Sequence, residues 1–253
     1  MTTLDPFAGR PDKAFNTLPG WSWIGCYGGY FLQSNLLQEN RFEHGFFTRR
    51  WHGRGPDELA GYISAGISVH RPQQIHSGSV LDADQAMGSP WPEGDGLVSS
   101  AGRQSLWVCG ADCTPVLLAD PLTGHVASCH AGWRGVAAGI LGLAIDKLEQ
   151  RGASRQDLIV ALGPAVSGAK YQVKGDVVQA ISTSLGYGDH WAPLQGAGIL
   201  LQDPKPERHR LDIRAAAQAQ LLQLGLTPQQ ISLCSLCTVS NEDLFYSWRR
   251  DQV

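Results

Sequence analysis

Three short segments of the sequence contain most of the side chains that could do chemistry, and each lies where a predicted strand gives way to a loop. They are marked by His76, Cys113 and His130. Two imidazoles and one thiolate are a known zinc ligand set, and three protein ligands leave a fourth position for water or substrate. A metal there would lower the pKa of its water from about 15.7 to about 7. The spacing is not a diagnostic metal motif, so histidines hydrogen-bonded at strand ends remain an alternative interpretation.

The same three residues allow other chemistries. Without a metal, Cys113 would be a nucleophile and His130 its general base, for amide hydrolysis or deamidation. Two histidines and a cysteine also match a single copper site. A multicopper enzyme is disfavoured, because the eight histidines include no His-x-His pair and only Met1 and Met87 offer a thioether. A non-enzymatic module with a structural metal is disfavoured too, because such sites use four protein ligands.

The remaining cysteines are interpreted as core residues. Cys234-x-x-Cys237 would need a second pair to form a zinc ribbon, and its surroundings continue an apolar run, unlike a redox pair at a helix start. Six cysteines in 253 residues are too few for a disulfide scaffold. We therefore also expect Cys26, Cys109 and Cys129 to be buried.

Hydrophobic patterning predicts the elements that must position these side chains. Strands are expected at 105–109, 115–119 and 125–129, and the turn sequence DPLTG at 120–124 makes the last two an antiparallel pair. Apolar residues at helical spacing predict a helix that begins after Gly135, and Arg151-Gly152 supplies its stop.

Further along the chain, Asp212 is a predicted N-cap of a helix that runs to Gly225. Buried strands are expected at 159–162 and 231–236, and a long surface loop at 83–96. Antiparallel strands with few, late helices indicate a single α+β domain.

Composition narrows the function classes. Apolar residues make up 43% of the chain and charged residues 17%, which indicates a folded protein rather than a disordered one. The net charge of −3 does not provide the basic surface that nucleic-acid binding demands. The polar N-terminus does not resemble a signal peptide, and no apolar run approaches the length of a membrane span. We expect a soluble, cytoplasmic protein with no nucleic-acid or membrane partner.

Two segments, ADCTPVLLAD at 111–120 and CHAGWRG at 129–135, resemble the signatures of the YfiH-like laccase-domain family, whose members are also called multicopper polyphenol oxidases or purine nucleoside phosphorylases. Supporting matches are HGFFTR at 44–49, QIH at 74–76, GDGLV at 94–98, LGPAVSGAKYQV at 162–173, LDI at 211–213, CT at 237–238 and FYSWRRD at 245–251. The resemblance covers about residues 40–251. The sequence departs from the family pattern in two places. Ser77 stands where the family usually has glycine, and the sequence ends at Val253, just after RRD, where relatives generally continue for a few residues.

The resemblance implies a single-domain α/β/β/α sandwich related to the cytotoxic-necrotizing-factor toxin, with a lead-in at residues 1–40 and the catalytic domain at 41–253. It implies Zn2+ held by His76, Cys113 and His130, with copper as the less favoured metal. The implied activity is phosphorolysis of purine nucleosides, with adenosine deamination and methylthioadenosine cleavage. The alternatives are an amidase that edits a peptidoglycan precursor, a Cys-His hydrolase and, less favoured, a copper-dependent polyphenol oxidase. Purine nucleosides and phosphate are the expected partners, and the oligomeric state stays open.

Other residues are candidates for the same site. Arg49 is expected to anchor phosphate, since a guanidinium binds phosphate bidentately. Phe46 and Gln74 are assigned to substrate binding, although most aromatic residues in such segments belong to the core. Asp95 and Asp112 are candidates for proton transfer or for orienting a ligand imidazole, against the alternative that each makes a turn.

The arginine-rich motifs leave two interpretations open. Trp133 and Arg134 follow a proposed ligand, yet packing for the tryptophan and a carboxylate partner for the arginine would explain them equally well. Arg249 and Arg250 are interpreted as a solvated pair in preference to a ligand clamp. Phe245 is expected to lie in the core rather than to stack on a purine.

Overall fold

A six-stranded mixed sheet lies in the middle of the fold. The structure is a computed structural model that describes residues 17–26 and 29–252. Its strands are β1 (Trp21–Cys26), β2 (Gly29–Ser34), β3 (Phe46–Phe47), β4 (Ser68–His70), β5 (Val80–Asp82), β6 (Gly96–Val98), β7 (Gln104–Leu106), β8 (Thr114–Ala119), β9 (Val126–Ala131), β10 (Ile159–Leu162), β11 (Gln172–Val173), β12 (Leu200–Gln202), β13 (His209–Leu211) and β14 (Ile231–Leu233).

The helices of the described chain are short, and most of the longer ones come after the central strands. They are α1 (Asn35–Glu39), α2 (Pro56–Leu59), α3 (Trp133–Ala137), α4 (Ile140–Glu149), α5 (Gly175–Ser184), α6 (Ala192–Gly196), α7 (Ile213–Gln223) and α8 (Trp248–Asp251). Short 3-10 helices occur at Arg49–Trp51, Ala60–Tyr62, Ala83–Gln85, Gly168–Lys170 and Pro228–Gln230.

The central sheet has the strand order β14-β10-β8-β9-β6-β5. β8 and β9 pair antiparallel along their whole length, with Pro115 opposite His130, as the turn sequence between them predicts. β10 and β6 flank this pair and are antiparallel to it, while the outer strands β14 and β5 run parallel to their neighbours. The ends of β6, β8 and β9 are thereby brought to one place, where the candidate site lies.

Alternating side chains along the strands create three apolar layers. On one face of the central sheet, residues such as Val116 and Leu118 pack with helices α3, α4, α5 and α7. The opposite face packs against the sheet β1-β2-β3, through Tyr30 and Leu32 of β2. The intervening residue Phe31 points to the far side of that small sheet, where it meets the α2 region. The order of layers is helix, sheet, sheet, helix, and the α+β fold class is confirmed.

The predicted helix after Gly135 is wrong in its boundaries. The chain already becomes helical at Trp133, and α3 is separated from α4 by Gly139, whose φ of 76° lies in the left-handed region. A helix cannot continue through that conformation, and glycine adopts it without steric cost. The predicted end at Arg151-Gly152 agrees with the structure, because α4 ends at Glu149 and its last turn closes there.

Other predicted elements agree more closely. Asp212 is the N-cap of α7, and its side chain accepts a hydrogen bond from the Ala215 N–H at 3.0 Å. The strands at 159–162 and 115–119 are present, and the strand predicted at 231–236 is shortened to β14. The strand predicted at 105–109 is replaced by β7, which ends at Leu106.

The division at residue 40 stays a prediction, and residues 1–16 of the lead-in lie outside the described residues. Within the lead-in, β1, β2 and α1 form part of the second sheet and its core. Trp21 and Trp23 are each 2% exposed there. This buried aromatic surface joins the N-terminal residues to the central sheet.

We expect Gly163→Ala to destabilise the protein by about 1–3 kcal/mol through overpacking. A Cβ at this position would lie 2.3 Å from Phe46 Cε1 and 2.9 Å from Pro115 Cγ. The matched control is Gly102→Ala, because a Cβ added there would meet nothing within 4 Å. Urea unfolding measures both variants, and equal losses in the two would contradict this account of the contact between the sheets.

His44 gives the fold a dependence on pH. Its Nδ1 lies 2.8 Å from the Phe42 carbonyl, and its Nε2 accepts from the Ser34 N–H at 2.9 Å, so the buried ring is neutral. Burial lowers the pKa of His44 below 6.5, although its two backbone hydrogen bonds act in the opposite direction. The unfolded chain therefore takes up a proton at a higher pH than the folded chain does, and stability present above pH 6.5 is lost as the pH falls.

We expect the free energy of unfolding to fall between pH 7.5 and pH 5.5 more steeply in the wild type than in His44→Gln. The difference in slope can reach about 1.4 kcal/mol per pH unit. Urea unfolding at each pH measures it, and the subtraction cancels every histidine that both proteins share. If the free energy of unfolding changed with pH equally in the two proteins, His44 would not contribute to the pH dependence of stability.

Candidate metal centre

His76, Cys113 and His130 come together at one end of the central sheet. One ligand atom from each lies within 4.8 Å of the others, and this is the one such group of three among the described residues. His130 is in β9, Cys113 immediately precedes β8, and His76 lies in the loop between β4 and β5. His130 is buried, Cys113 is half-buried and His76 is exposed, so the group has one open side.

The buried Asp95 carboxylate forms hydrogen bonds with both histidines of this group. Asp95 has no solvent exposure, and its carboxylate accepts hydrogen bonds from the N–H groups of Ile75, His76 and Ser77 at 3.3, 3.0 and 2.6 Å. The Ser77 hydroxyl donates a further bond of 2.8 Å, and Nδ1 of His130 lies 2.9 Å from the same carboxylate. One buried carboxylate therefore fixes both histidines.

The Asp95 contact also decides which nitrogen of His130 is available. Because a carboxylate accepts at Nδ1, Nε2 carries the lone pair and is free to bind a metal. Burial raises the pKa of Asp95, but hydrogen bonds from His130 and Ser77 outweigh it and hold that pKa below its usual value. Burial lowers the pKa of His130, partly offset by its bond to Asp95, so its ring is neutral at pH 7. A carboxylate behind a neutral imidazole is the arrangement found behind metal-ligating histidines.

The donor set therefore fits a borderline metal ion such as Zn2+, and it also fits copper. Burial, followed by the charges of Asp112 and Asp95, raises the pKa of Cys113 to about 11, although Arg134 acts in the opposite direction. The thiol is protonated at neutral pH until a cation displaces its proton.

Gly132 leaves room for this group. A Cβ on Gly132 would lie 2.8 Å from the Cys113 Sγ and 3.6 Å from His76 Cδ2. Only glycine allows the start of α3 to approach the thiol this closely. The glycine in the segment HAGWRG is thus required by the site.

Asp112 holds the residue next to Cys113 in place. Its φ is 97°, a conformation that non-glycine residues rarely adopt, and its carboxylate is 5% exposed. One carboxylate oxygen accepts from the Thr238 hydroxyl at 2.6 Å and the other from the Arg249 N–H at 2.7 Å. Asp112 therefore connects Cys113 to the segment that leads into α8.

Two residues that the sequence does not assign to the site lie in the same neighbourhood. Burial and the nearby Cys113 raise the pKa of Tyr171 to about 12, against the lowering effect of Arg249. The Arg249 guanidinium lies over the Tyr171 ring, with 4.6 Å from Cζ to the ring centroid. Both residues belong to segments quoted for the family resemblance, and only their spatial proximity reveals the pair.

The three predicted substrate-binding residues, Arg49, Gln74 and Phe46, each have different contacts in the structure. Arg49 donates a hydrogen bond to the Glu242 carbonyl at 2.8 Å and stacks on Tyr246. The Gln74 amide forms two bonds with the backbone of Cys109, at 2.7 and 2.8 Å, and so positions the loop that carries His76. Phe46 is 7% exposed and packs in the core that joins the two sheets.

The contacts also resolve the arginine-rich motifs. Trp133 packs against the helical side of the core, and Arg134 stacks on it at 4.6 Å without an ion pair to any described carboxylate. Arg250 is not a solvated side chain, because it bonds Asp251 and the carbonyls of Thr238 and Phe245. The prediction of a solvated pair is therefore wrong for Arg250.

The predicted burial of the cysteines is confirmed for some of them and wrong for one. Cys129, Cys234 and Cys237 are buried as predicted, as is Phe245. Cys109 is exposed, and the prediction of burial is wrong because the chain leaves β7 before reaching it. The side chain of Cys26 lies outside the described residues.

No described helix combines the length and the apolar character that crossing a membrane would require.

The fold and the site define an α+β domain with a His-Cys-His group that could hold a metal ion at the open end of its central sheet. The family described as multi-copper polyphenol oxidoreductase laccase matches residues 58–253, and this chain belongs to it. The predicted resemblance to YfiH-like laccase-domain proteins is confirmed.

Individual relatives agree with this assignment. A protein of Synechocystis named purine nucleoside phosphorylase is 38% identical over 91% of this chain and 92% of its own length. A solved Neisseria meningitidis structure is 29% identical, with a TM-score of 0.65 over 83% of this chain and 84% of that one. The solved Bacillus licheniformis protein YfiH is 26% identical, with a TM-score of 0.66 over 77% of this chain and 74% of its own.

We expect Asp95→Asn to weaken zinc binding by about 10–100-fold, because the amide presents donors to the N–H groups that the carboxylate accepts from. Competition with a chelator measures the affinity of the metal-free protein. Asp120→Asn is the matched control. Asp120 is 1% exposed and accepts from Leu122 N, Thr123 N and the Thr123 hydroxyl at the other end of β8. Equal zinc affinity of Asp95→Asn and the wild type would refute the orienting role.

Proposed function

We propose that this chain is a zinc-dependent purine nucleoside phosphorylase that also deaminates adenosine and cleaves methylthioadenosine. One observation carries the proposal: the ligand atoms of His76, Cys113 and His130 lie within 4.8 Å of one another, in a chain 38% identical over 91% of its length to a protein named purine nucleoside phosphorylase. The substrates proposed are purine nucleosides and phosphate. A cytoplasmic location is part of the same proposal.

In phosphorolysis, an oxygen atom of phosphate forms a bond to the anomeric carbon of ribose as the glycosidic C–N bond breaks. The electron pair of that bond leaves with the purine, which takes up a proton, and the sugar leaves as ribose 1-phosphate. The site must therefore hold an anion, neutralise charge that develops on the purine, and supply a proton. Zn2+ held by the trio would supply a Lewis acid that polarises an oxygen atom at its open position.

The residues of the chain divide these tasks. Asp95 orients His130 and His76, and both of its oxygens are already occupied by hydrogen bonds. Asp112 positions Cys113 in the same manner. The phenol of Tyr171 stays protonated at neutral pH, so it is a hydrogen-bond donor to a leaving purine or to phosphate. Arg49 is proposed to bind phosphate with the nitrogens that the Glu242 carbonyl does not use.

A Cys-His hydrolase is a second candidate, favoured by one observation. His130 lies between Cys113 and Asp95, as the base of a nucleophile–base–acid triad would. The pKa of Cys113 argues against it, because burial raises that pKa to about 11 whereas nucleophilic cysteines have lowered values. An amidase acting on a peptidoglycan precursor would use the same residues.

A multicopper oxidase needs several metal sites that lie close together. Among residues 17–26 and 29–252, one group of three metal-binding side chains is formed. The donor set admits a single copper ion, and the family description alone does not supply ligands for more.

Metal analysis and product analysis test the proposal. We expect about one zinc per chain and phosphate-dependent release of hypoxanthine from inosine. Cys113→Ala should lose bound zinc and lower kcat/KM by at least about 100-fold, because one of three ligands is removed. Cys109→Ala is the matched control, since that thiol is exposed and outside the trio. Activity and zinc content of the control should match the wild type.

The products separate the alternatives. Adenosine should yield hypoxanthine after deamination, and methylthioadenosine should yield adenine only when phosphate is present. Full phosphorolysis by metal-free protein would refute zinc dependence. Hydrolysis of a muramoyl amide without nucleoside turnover would replace the proposal with the hydrolase.

A further inference from the structure

Arg134 and Arg249 stand apart from the other arginines near the ends of the central sheet. Both guanidinium groups are on exposed residues, and neither forms an ion pair or donates to a carbonyl within the described part of the chain. Arg151 and Arg155, by contrast, each bind a carboxylate at 2.8–2.9 Å. Apart from one side-chain hydrogen bond between Arg249 and Tyr171, the donors of these two arginines are therefore available to an external anion.

Each of these guanidinium groups is held by an aromatic ring. Arg134 lies over Trp133 and Arg249 over Tyr171, both at 4.6 Å from Cζ to the ring centroid. A cation over a ring face is attracted by the ring quadrupole, and the stacking limits the number of conformations of a long side chain. An anion that binds there meets donors that are already oriented, which lowers the entropic cost of binding.

Both arginines are tied to the residues around Cys113. Arg134 follows Gly132 by two residues, and a Cβ added to Gly132 would lie 2.8 Å from the Cys113 Sγ. The charge of Arg134 acts to lower the pKa of the Cys113 thiol. The backbone N–H of Arg249 donates to the Asp112 carboxylate at 2.7 Å, next in sequence to Cys113. The positive charges are thus adjacent to the metal-binding trio.

The acids in this neighbourhood do not form ion pairs with the two guanidinium groups. The Asp95 carboxylate accepts from Ile75, His76, Ser77 and His130, and the Asp112 carboxylate from Thr238 and the Arg249 backbone. These carboxylates use their oxygens on N–H and O–H groups that hold the site together. Among the described residues, no carboxylate forms an ion pair with the side chain of Arg134 or Arg249.

We propose that Arg134 and Arg249 form an anion subsite beside Cys113 that binds the phosphate co-substrate. This inference rests on the proposed phosphorolysis, and it adds two phosphate ligands to the one proposed above, Arg49. A planar guanidinium presents two parallel N–H donors that match two phosphate oxygens, and two such groups match the charge of a phosphate dianion.

The test measures phosphate binding and turnover separately. Calorimetric titration with inorganic phosphate gives Kd, and inosine phosphorolysis gives KM for phosphate at saturating inosine and KM for inosine at saturating phosphate. The variants are Arg134→Met, Arg249→Met, Arg249→Lys and Arg49→Met. Arg71→Met is the matched control, because Arg71 also lies over a ring, Trp91, at 4.9 Å.

We expect Arg134→Met and Arg249→Met each to raise the Kd and KM for phosphate by about tenfold or more, with KM for inosine within about twofold of the wild type. Arg249→Lys should recover part of the loss, because it restores the charge without the paired donors. The control should match the wild type. Thermal unfolding of every variant checks that the fold is intact.

Several results would overturn the subsite. The first is an unchanged Kd and KM for phosphate in both Arg134→Met and Arg249→Met, and the second is weaker phosphate binding in Arg49→Met alone. The third is a rise of the KM values for phosphate and inosine together with a lowered Tm, and the fourth is an absence of phosphate binding by the wild type. Phosphate binding that depends on Arg134 and Arg249 without any release of purine would support the subsite and refute the proposed phosphorylase. Failure of the inference and failure of the function are therefore distinguishable.

Discussion

The buried carboxylate of Asp95 is the interaction on which the site depends. It immediately precedes β6, yet it accepts hydrogen bonds from the loop 75–77 and from His130 of β9. Its own carbonyl accepts from the His130 N–H at 2.7 Å. An ionised carboxylate without exposure is tolerated only when such donors replace water. The charge that is costly to bury is therefore the reason that three separate segments hold one geometry.

Asp112 performs a related task for the other side of the site. Its left-handed backbone turns the chain into β8, and its two oxygens bind Thr238 and Arg249 from the distant segment before α8. Backbone strain of this kind persists where the surroundings determine the conformation strongly. The two aspartates thus divide the construction of the site: Asp95 orders the histidines, and Asp112 orders the approach to Cys113.

The parts of the fold that sequence reasoning predicts are those with local signals. The β8–β9 hairpin follows from two apolar strands and a turn sequence, and the cap of α7 follows from Asp212. The trio follows from residue types at strand ends, supported by the family resemblance. The break at Gly139 escapes prediction because apolar residues continue at helical spacing across it. The sequence also yields no prediction for α5 or for the sheet β11-β13-β12.

Residues that act through tertiary contacts are less accessible to sequence reasoning. Tyr171 and Arg249 meet only in the folded chain, and neither segment shows this in its own pattern. The interpretation of Arg250 as solvated fails for the same reason, since its partners include Thr238 and Phe245 carbonyls that the chain brings back to it. Phe46 is a substrate candidate by residue type, whereas the close approach of Gly163 shows the tight packing around its ring.

The three candidate ligands differ in exposure, and this difference would set the order in which they exchange a metal ion. His130 is 4% exposed and held by Asp95, whereas His76 is on the open side. A competing chelator would reach a bound ion from the side of His76, so this ligand would be the first to be displaced and the last to bind. The loop that carries His76 is held to the Cys109 backbone by Gln74, so this loop would control how quickly a metal ion enters and leaves, separately from how tightly it is bound.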